Sequence, residues 1–285
     1  MTSAGYPVGE LAGEGRLSWW HQLGAMWRLA QARTAAMYAY RATMFLFMAT
    51  TVMQLFILKR VWASLYRANS GALSIPFENL AVYLTIVNLI IWSFPTFTVT
   101  EYLRERIREG SIVFDMVRPL SFIPQMVSQL VGALVGSLLV VAFSLPAVAL
   151  AGSLTLPVDK VAAGAFVVSL FLGYTIAGLL IMILSLVMFW TIEVHGITML
   201  YVLVSSFLSG AMVPISVFPD RLRTLVEWLP FQSSAYVPAS IYVGSMSGGV
   251  ARRAILIQMM WVGVLSLVAF LVWRRAKHRV VVQGG

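Results

Sequence analysis

Long apolar runs broken by short polar stretches repeat along this chain, and their lengths set the first expectations. Apolar runs cover about residues 42–58, 80–100, 123–150, 161–190, a stretch from near Ile197, and 254–273. Most reach the roughly 17–25 residues a helix needs to cross a bilayer. The first run ends at Lys59-Arg60 or continues as a tilted helix to Tyr66, with Asn69-Ser70-Gly71 and Pro76 forming the turn. Pro95 predicts a kink in the second run. GSLTLPVD makes the turn before the fourth run, which is long enough to tilt or protrude. Glu193-Val194-His195-Gly196 is a tight turn leading into the fifth. The pattern describes an all-α membrane protein with six transmembrane helices in residues 42–273.

Two regions depart from that pattern. Between Arg16 and Arg41, Trp20, Leu23, Trp27 and Ala30 share a helical face, while Gln22, Arg28, Gln31 and Arg33 lie elsewhere. Tryptophan and arginine at low net hydrophobicity predict an interfacial amphipathic helix over 16–41, preceded by a short disordered tail over 1–15. From Gly210 to Gly249, Pro214, Pro219, Pro230 and Pro238 are too many breakers for one spanning helix. Leu222, Leu225, Val226 and Leu229 form a stripe in a piece of only about ten residues, too short to span. Such pieces read as re-entrant or interfacial helices before the last span.

A third departure is one of charge. EYLRERIREGSIVFDMVRPL, residues 101–120, gathers Glu101, Arg104, Glu105, Arg106, Arg108, Glu109 and Asp115 between two apolar runs. Nothing so charged rests in hydrocarbon, so the segment marks a water-facing membrane surface. Glu101, Glu105 and Glu109 recur at i, i+4, i+8 with Arg104 and Arg108 at i+3 offsets, which favours a charged helical extension. Gly110 breaks it. Ser111 is then placed to cap a second short helix containing Ile112, Val113, Phe114, Met116 and Val117, which Arg118-Pro119 stops. A short helix held at a membrane face by two spans has the form of a docking element for a partner outside the bilayer.

Composition excludes several function classes. The 285 residues are 60% hydrophobic and 11% charged, and they contain no cysteine, hence no disulfide, thiolate site or cysteine nucleophile. His21, His195 and His278 are too scattered for a metal cluster. The net charge of +9 fits membrane orientation and anionic lipid rather than nucleic acid. Arg16, Arg28, Arg33 and Arg41 precede the first span, Arg104, Arg106, Arg108 and Arg118 lie in the charged segment, and Arg274, Arg275, Lys277 and Arg279 form a basic tail over 274–285. These twelve, against eight on the other face, place both termini and the charged segment in the cytoplasm.

The span interiors are essentially free of charged side chains. Glu193, with His195 nearby, is the one acidic residue ending an apolar run; the pair serves either as an ion-coupling pair in a cavity or as residues at the cytoplasmic water boundary. No nucleophile elbow, zinc helix or pair of intramembrane aspartates supports an enzyme. No phosphate-binding loop precedes Lys59, Lys160 or Lys277, so energy for uphill transport must come from another polypeptide. Gly132 and Gly136 form a small-xxx-small pair that permits close helix packing.

The order of these features resembles the membrane subunit of ABC exporters of the type-two permease class, over about Leu17 to Arg279. It consists of the amphipathic helix before the first span, the charged Gly-broken segment between spans two and three, the fifth span running into GAMVPISVFPDRLRTLVEWLPFQSSAYVP, and a last span with a basic tail. REGSIVFDMVRPLS especially resembles the uncharacterised bacterial branch of that class. The resemblance implies a multi-pass permease of the bacterial plasma (inner) membrane with no ATPase site of its own. It would form half of an export pathway with a second permease chain, identical or different. Each permease would dock a separate ATPase subunit that carries the ATP and magnesium. Ser111–Val117 would be the coupling helix, with Arg104, Arg108, Ser111, Ile112, Phe114, Asp115, Val117 and Arg118 as its coupling residues. Glu193 and His195 would make a second cytoplasmic contact. Pro214, Pro219, Leu222, Leu225 and Pro230 would belong to the outer gate. The competing expectation is an ion-coupled secondary transporter using Glu193.

Overall fold

The computed structural model describes residues 19–39, 41–68, 76–151, 154–191 and 195–283. The expected tail over 1–15 and the Asn69-Ser70-Gly71 turn lie outside them. Every described element is helical, apart from turns and connections. Helix α1 spans Trp19–Tyr38 and α2 Arg41–Ala68, so the first span takes its longer alternative. Helix α3, Phe77–Ser93, and α4, Thr96–Arg108, form one apolar path bent at Phe94-Pro95. Proline lacks the N–H that α3 would need to continue, and it forces Phe94 into extended backbone.

Five helical paths are long and apolar enough to cross a membrane: Ala42–Ala68, Phe77–Arg108, Phe122–Ala149, Lys160–Phe189 and Gly248–His278. They contain α2, α3 with α4, α6 (Phe122–Ala151), α7 (Lys160–Leu186 with a 3-10 turn to Phe189) and α11 (Gly248–Gln283). Between α4 and α6 lies α5, the six-residue helix Ile112–Val117. The chain is an all-α membrane protein. The expected fifth span is α8, His195–Leu208, of 14 residues. At 1.5 Å per residue it is about 21 Å long, short of a bilayer core of about 30 Å. Helix α8 already begins at His195, so the predicted tight turn does not extend past that residue.

Two buried clusters occupy opposite ends of the bundle. One joins Trp62, Leu80, Val87, Ile215, Phe218, Val226, Ala235 and Ile241. The other joins Val99, Leu103, Ile112, Phe122, Met126, Leu186, Phe189 and Ala276. In the second, Phe122 stacks on Trp273 with ring centroids 4.6 Å apart. Through Trp273 and Ala276 the last helix is built into the core, so the basic tail is not a separate segment: α11 runs without a breaker to Gln283.

Helix α1, expected to be interfacial, lies lengthwise against α6. Ala30 is buried there, while Trp20, Leu23 and Trp27 face outward. The four residues expected to share one face are therefore divided. Thr34 Oγ1 donates to the Gly132 carbonyl at 2.7 Å. A Cβ on Gly132 would collide with the Ala30 backbone, and one on Gly136 would lie 2.7 Å from Met37 Sδ. The glycine pair lets α1 approach α6 this closely.

The proline-rich stretch resolves into α9 (Asp220–Trp228) and α10 (Gln232–Tyr242), preceded by a 3-10 turn at Ile215–Val217. Gly210, at φ +77, ends α8 in a left-handed conformation, and its carbonyl accepts from Tyr83 Oη at 3.0 Å. Helix α10 is buried from Gln232 to Ile241 and packs on α3, α7 and α11.

Candidate functional site

Residues 101–120 fold around one carboxylate. Helix α4 ends at Gly110, whose φ of +69 is the left-handed conformation that glycine adopts without a Cβ clash. The chain then turns directly into α5. Ser111 stands at its N-terminus with helical backbone, φ −72 and ψ −7, and makes no side-chain cap. Capping needs an extended residue there, so the expected cap does not form. Ser111 Oγ instead lies 3.4 Å from Arg106 Nη1 and 3.5 Å from Glu109 Oε2. At the far end Arg118 is extended ahead of Pro119, which closes the helix as expected.

Within α5, Ile112 and Asp115 point inward and Val113, Phe114 and Val117 point outward. Asp115 is wholly buried. A buried carboxylate is costly unless ion-paired and hydrogen-bonded, and this one draws partners from several elements. Tyr102 Oη of α4 donates to Oδ2 at 3.0 Å, and Arg106 Nε of α4 lies 3.4 Å from the same oxygen. Arg118 Nη1 lies 3.3 Å from Oδ1 as an ion pair without hydrogen-bond alignment. Gln125, in the first turn of α6, donates from Nε2 to the backbone carbonyls of Asp115 and Leu120, each at 2.7 Å. Helix α5 is thereby fastened to both spans that flank it. Its exposed tip remains apolar: Phe114 is 72% and Val117 78% exposed.

The other predicted residues are distributed unevenly. Arg104 pairs with Glu101 one turn earlier, at 2.6 Å, and Arg108 is exposed in the last turn of α4. His195 Nδ1 lies 3.9 Å from Glu101 Oε1, which brings the start of α8 to the same end of the molecule. Glu193 lies outside the described residues. At the opposite end Pro214 and Pro230 are buried, Pro219 precedes α9 and is exposed, and Leu222 is half-buried. Leu225 is 61% exposed, so it leaves the predicted stripe. Leu222 and Val226 are four residues apart and share the inner face, whereas Leu225 is turned away from Val226 by one helical step.

Tyr102 and Gln125 belong to the site although the residue pattern did not single them out; Arg106 and Val113, read only as members of the charged segment and of the short helix, join them. Tyr102 and Arg106 stand at i, i+4 on α4, the one local signal that they share a face. Gln125 reaches Asp115 only through the fold. Among the described residues no group of three His, Cys, Asp or Glu is arranged to hold a metal ion.

A cavity of about 750 Å³ lies at the Phe94-Pro95 bend, walled also by α2, α6 and α8. Phe47, Trp92, Phe94 and Met44 line it with Asn88 and Gln54, and no lining residue carries a charge.

No curated protein matches the chain. The sequence pattern of the ABC-2 family transporter protein matches residues 48–284, a stretch that holds four of the five long spans and most of the first, the carboxylate-centred segment and the buried helix α10. With a helical membrane bundle and most of its length inside that match, the chain belongs to the ABC-2 family of transporter proteins and is a membrane permease of that family.

Proposed function

We propose that this chain is the permease subunit of an ATP-driven exporter and that α5 is where a separate ATPase subunit acts on it. The supporting observation is the fastening of Asp115. A six-residue helix is too short to persist by itself, yet α5 is tied to α4 and α6 by a buried carboxylate and presents Val113, Phe114 and Val117 outward. Rigid inner attachment with an apolar outer surface suits an element that must pass force from a bound partner to two spans. Ser111, Arg104 and Arg108 border that surface. The Glu101–His195 contact adds the start of α8 as the second cytoplasmic point, with Glu193 beside it in sequence. In this arrangement the partner subunit holds ATP and magnesium, and a second permease chain completes the pathway. The charged segment and both termini face the cytoplasm of a bacterial cell, and α9 and α10 close the outer end. The uncharged cavity at the Phe94-Pro95 bend suits an amphipathic or lipid-like cargo better than a small ion.

The test is purification of the native complex in mild detergent. A separate ATPase is expected to accompany the wild-type chain. Phe114→Asp is expected to release it while leaving thermal unfolding of the permease within about 0.5 kcal/mol of wild type, because the side chain is exposed. Undiminished ATPase retention in Phe114→Asp overturns the coupling assignment. Transport in vesicles driven by an ion gradient without ATP, and abolished by Glu193→Gln, establishes the secondary transporter instead.

A further inference from the structure

The cavity at the Phe94-Pro95 bend, of about 750 Å³, has no charge in its walls but does have a deep amide. Asn88 stands on α3 about midway between Phe77, where that span starts, and Glu101, the first charge of the water-facing segment. It is only 3% exposed. An amide at that depth is costly unless its polar atoms are met. Half of it is met inside α3, where Asn88 Nδ2 donates to the Leu84 carbonyl at 2.8 Å, one turn back. A carbonyl can only accept, so this bond fixes which end of the amide is nitrogen and leaves Oδ1 as the open end.

Asn88 Oδ1 accepts from no side chain or backbone group among the described residues. Unlike the sealed amide oxygens of Gln232 and Gln258, it keeps accessible surface, and Asn88 forms part of the cavity wall. The open acceptor therefore belongs to the cavity. One turn on, Trp92 lines the same cavity, its ring edge-on to Phe47 with centroids 5.4 Å apart, and Phe94 adds a third ring. The result is a set of aromatic walls around a deep acceptor.

That acceptor sets the ligand chemistry. An amide oxygen takes an O–H or an N–H, and a carboxylate or phosphate anion has no such hydrogen to offer it in exchange for its own lost hydration. Neither an anion nor a cation finds a counter-charge in these walls. Resting on the reading of this cavity as the cargo site, we propose that it selects an uncharged, mainly apolar molecule bearing a neutral hydrogen-bond donor. The donor, a hydroxyl or an amide N–H, bonds to Asn88 Oδ1, and the apolar body lies against Phe47, Trp92 and Phe94.

Trp92 also supplies the readout. The full-length chain is placed in phosphatidylcholine nanodiscs, and the Trp92 signal is the difference in tryptophan fluorescence between it and Trp92→Phe. Three probes share one apolar chain: 1-dodecanol, its methyl ether, which accepts but cannot donate, and dodecyl phosphate, which is charged. They are compared at equal concentration in the bilayer. Dodecanol is expected to saturate the signal about tenfold more tightly than the ether, as an unmet buried acceptor requires. Dodecyl phosphate is expected to give no saturable signal. Asn88→Leu is expected to bring the alcohol down to the level of the ether. Thr85→Val removes a buried hydroxyl of the same helix that does not line the cavity, and is expected to leave the difference intact. Equal affinity for alcohol and ether in the wild type overturns the proposal without any variant, as does a saturable signal with the phosphate or with none of the three. A difference that survives Asn88→Leu, or that falls equally in Thr85→Val, overturns it too. The exporter reading fails separately: equal binding of alcohol and ether leaves the ATPase assignment standing, and undiminished ATPase retention in Phe114→Asp leaves the selection for a donor standing.

Discussion

Both ends of this bundle use a short helix that does not cross the membrane, and they treat it in opposite ways. Helix α5 is six residues long, anchored through Ile112 and the buried Asp115, and leaves Phe114 and Val117 uncovered. Helix α10 is eleven residues long, and its first ten residues are buried against three other helices. At the α5 end, charge is concentrated and paired: Asp115 with Arg106 and Arg118, and Glu101 with Arg104 and close to His195. At the α10 end, paired charges are few, and buried polar atoms of Gln232 and Ser233 lack partners. The difference teaches how each helix is held. Ionic fastening fixes α5 while sparing its outer surface; packing against α3, α7 and α11 buries α10 along its first ten residues.

Enclosure predicts the larger mutational cost. A Cβ on Gly173 of α7 would lie 2.8 Å from the Ser233 carbonyl oxygen and 3.0 Å from that of Ser234. Both are backbone atoms that cannot swing away. Gly173→Val is expected to force α7 and α10 apart at about 3 kcal/mol, read as a lowered thermal transition of the detergent-solubilised protein. A transition within one degree or so of wild type would show that α10 is not enclosed as described.

Asp115→Ala comes next. Its arginine partners are partly solvated and recover water when freed, so the cost is about 2 kcal/mol rather than that of a fully buried pair. Hydrogen exchange is expected to quicken over residues 110–120 and to stay unchanged in α10. Equal quickening at both ends would mean that the two are not separately held. Tyr102→Phe removes only the 3.0 Å hydrogen bond to Asp115 Oδ2 and is expected to cost about 1 kcal/mol, detectable as an intermediate exchange rate in the same segment. The smallest effect belongs to Glu227→Gln, which breaks the half-exposed pair with Arg223. Its effect on the thermal transition is expected to stay below about 0.5 kcal/mol. A larger loss would make the α10 end ionically fastened after all.

The apolar runs, the Pro95 bend, the break at Gly110 and the stop at Arg118-Pro119 were legible in the chain because each has a local cause: desolvation along a run, or a backbone that proline or glycine restricts. The subdivision of 210–249 at Pro214, Pro219 and Pro230 was legible for the same reason, whereas Pro238, expected to break the chain too, lies inside α10. Facing was not. Hydropathy alone turns an aspartate outward and a phenylalanine inward, yet in α5 Asp115 is buried and Phe114 exposed. The reversal depends on Tyr102, Arg106 and Gln125, which reach Asp115 from α4 and α6. Ala30 likewise parts from Trp27 because Gly132 lets α6 come close. The basic residues after Trp273 read as a tail, but Ala276 packs into the core and the helix continues.

By itself, then, the sequence determined that this protein is a helical membrane bundle and where its chain bends and breaks, since burial from water and backbone restriction act within a few residues. Only the tertiary structure decided which side of α5 is free, that α10 is buried, and that polar atoms of Gln232 and Ser233 are left without partners. Those outcomes are set by contacts between helices far apart in the chain, where a buried charge or a missing Cβ matters only through the group that meets it.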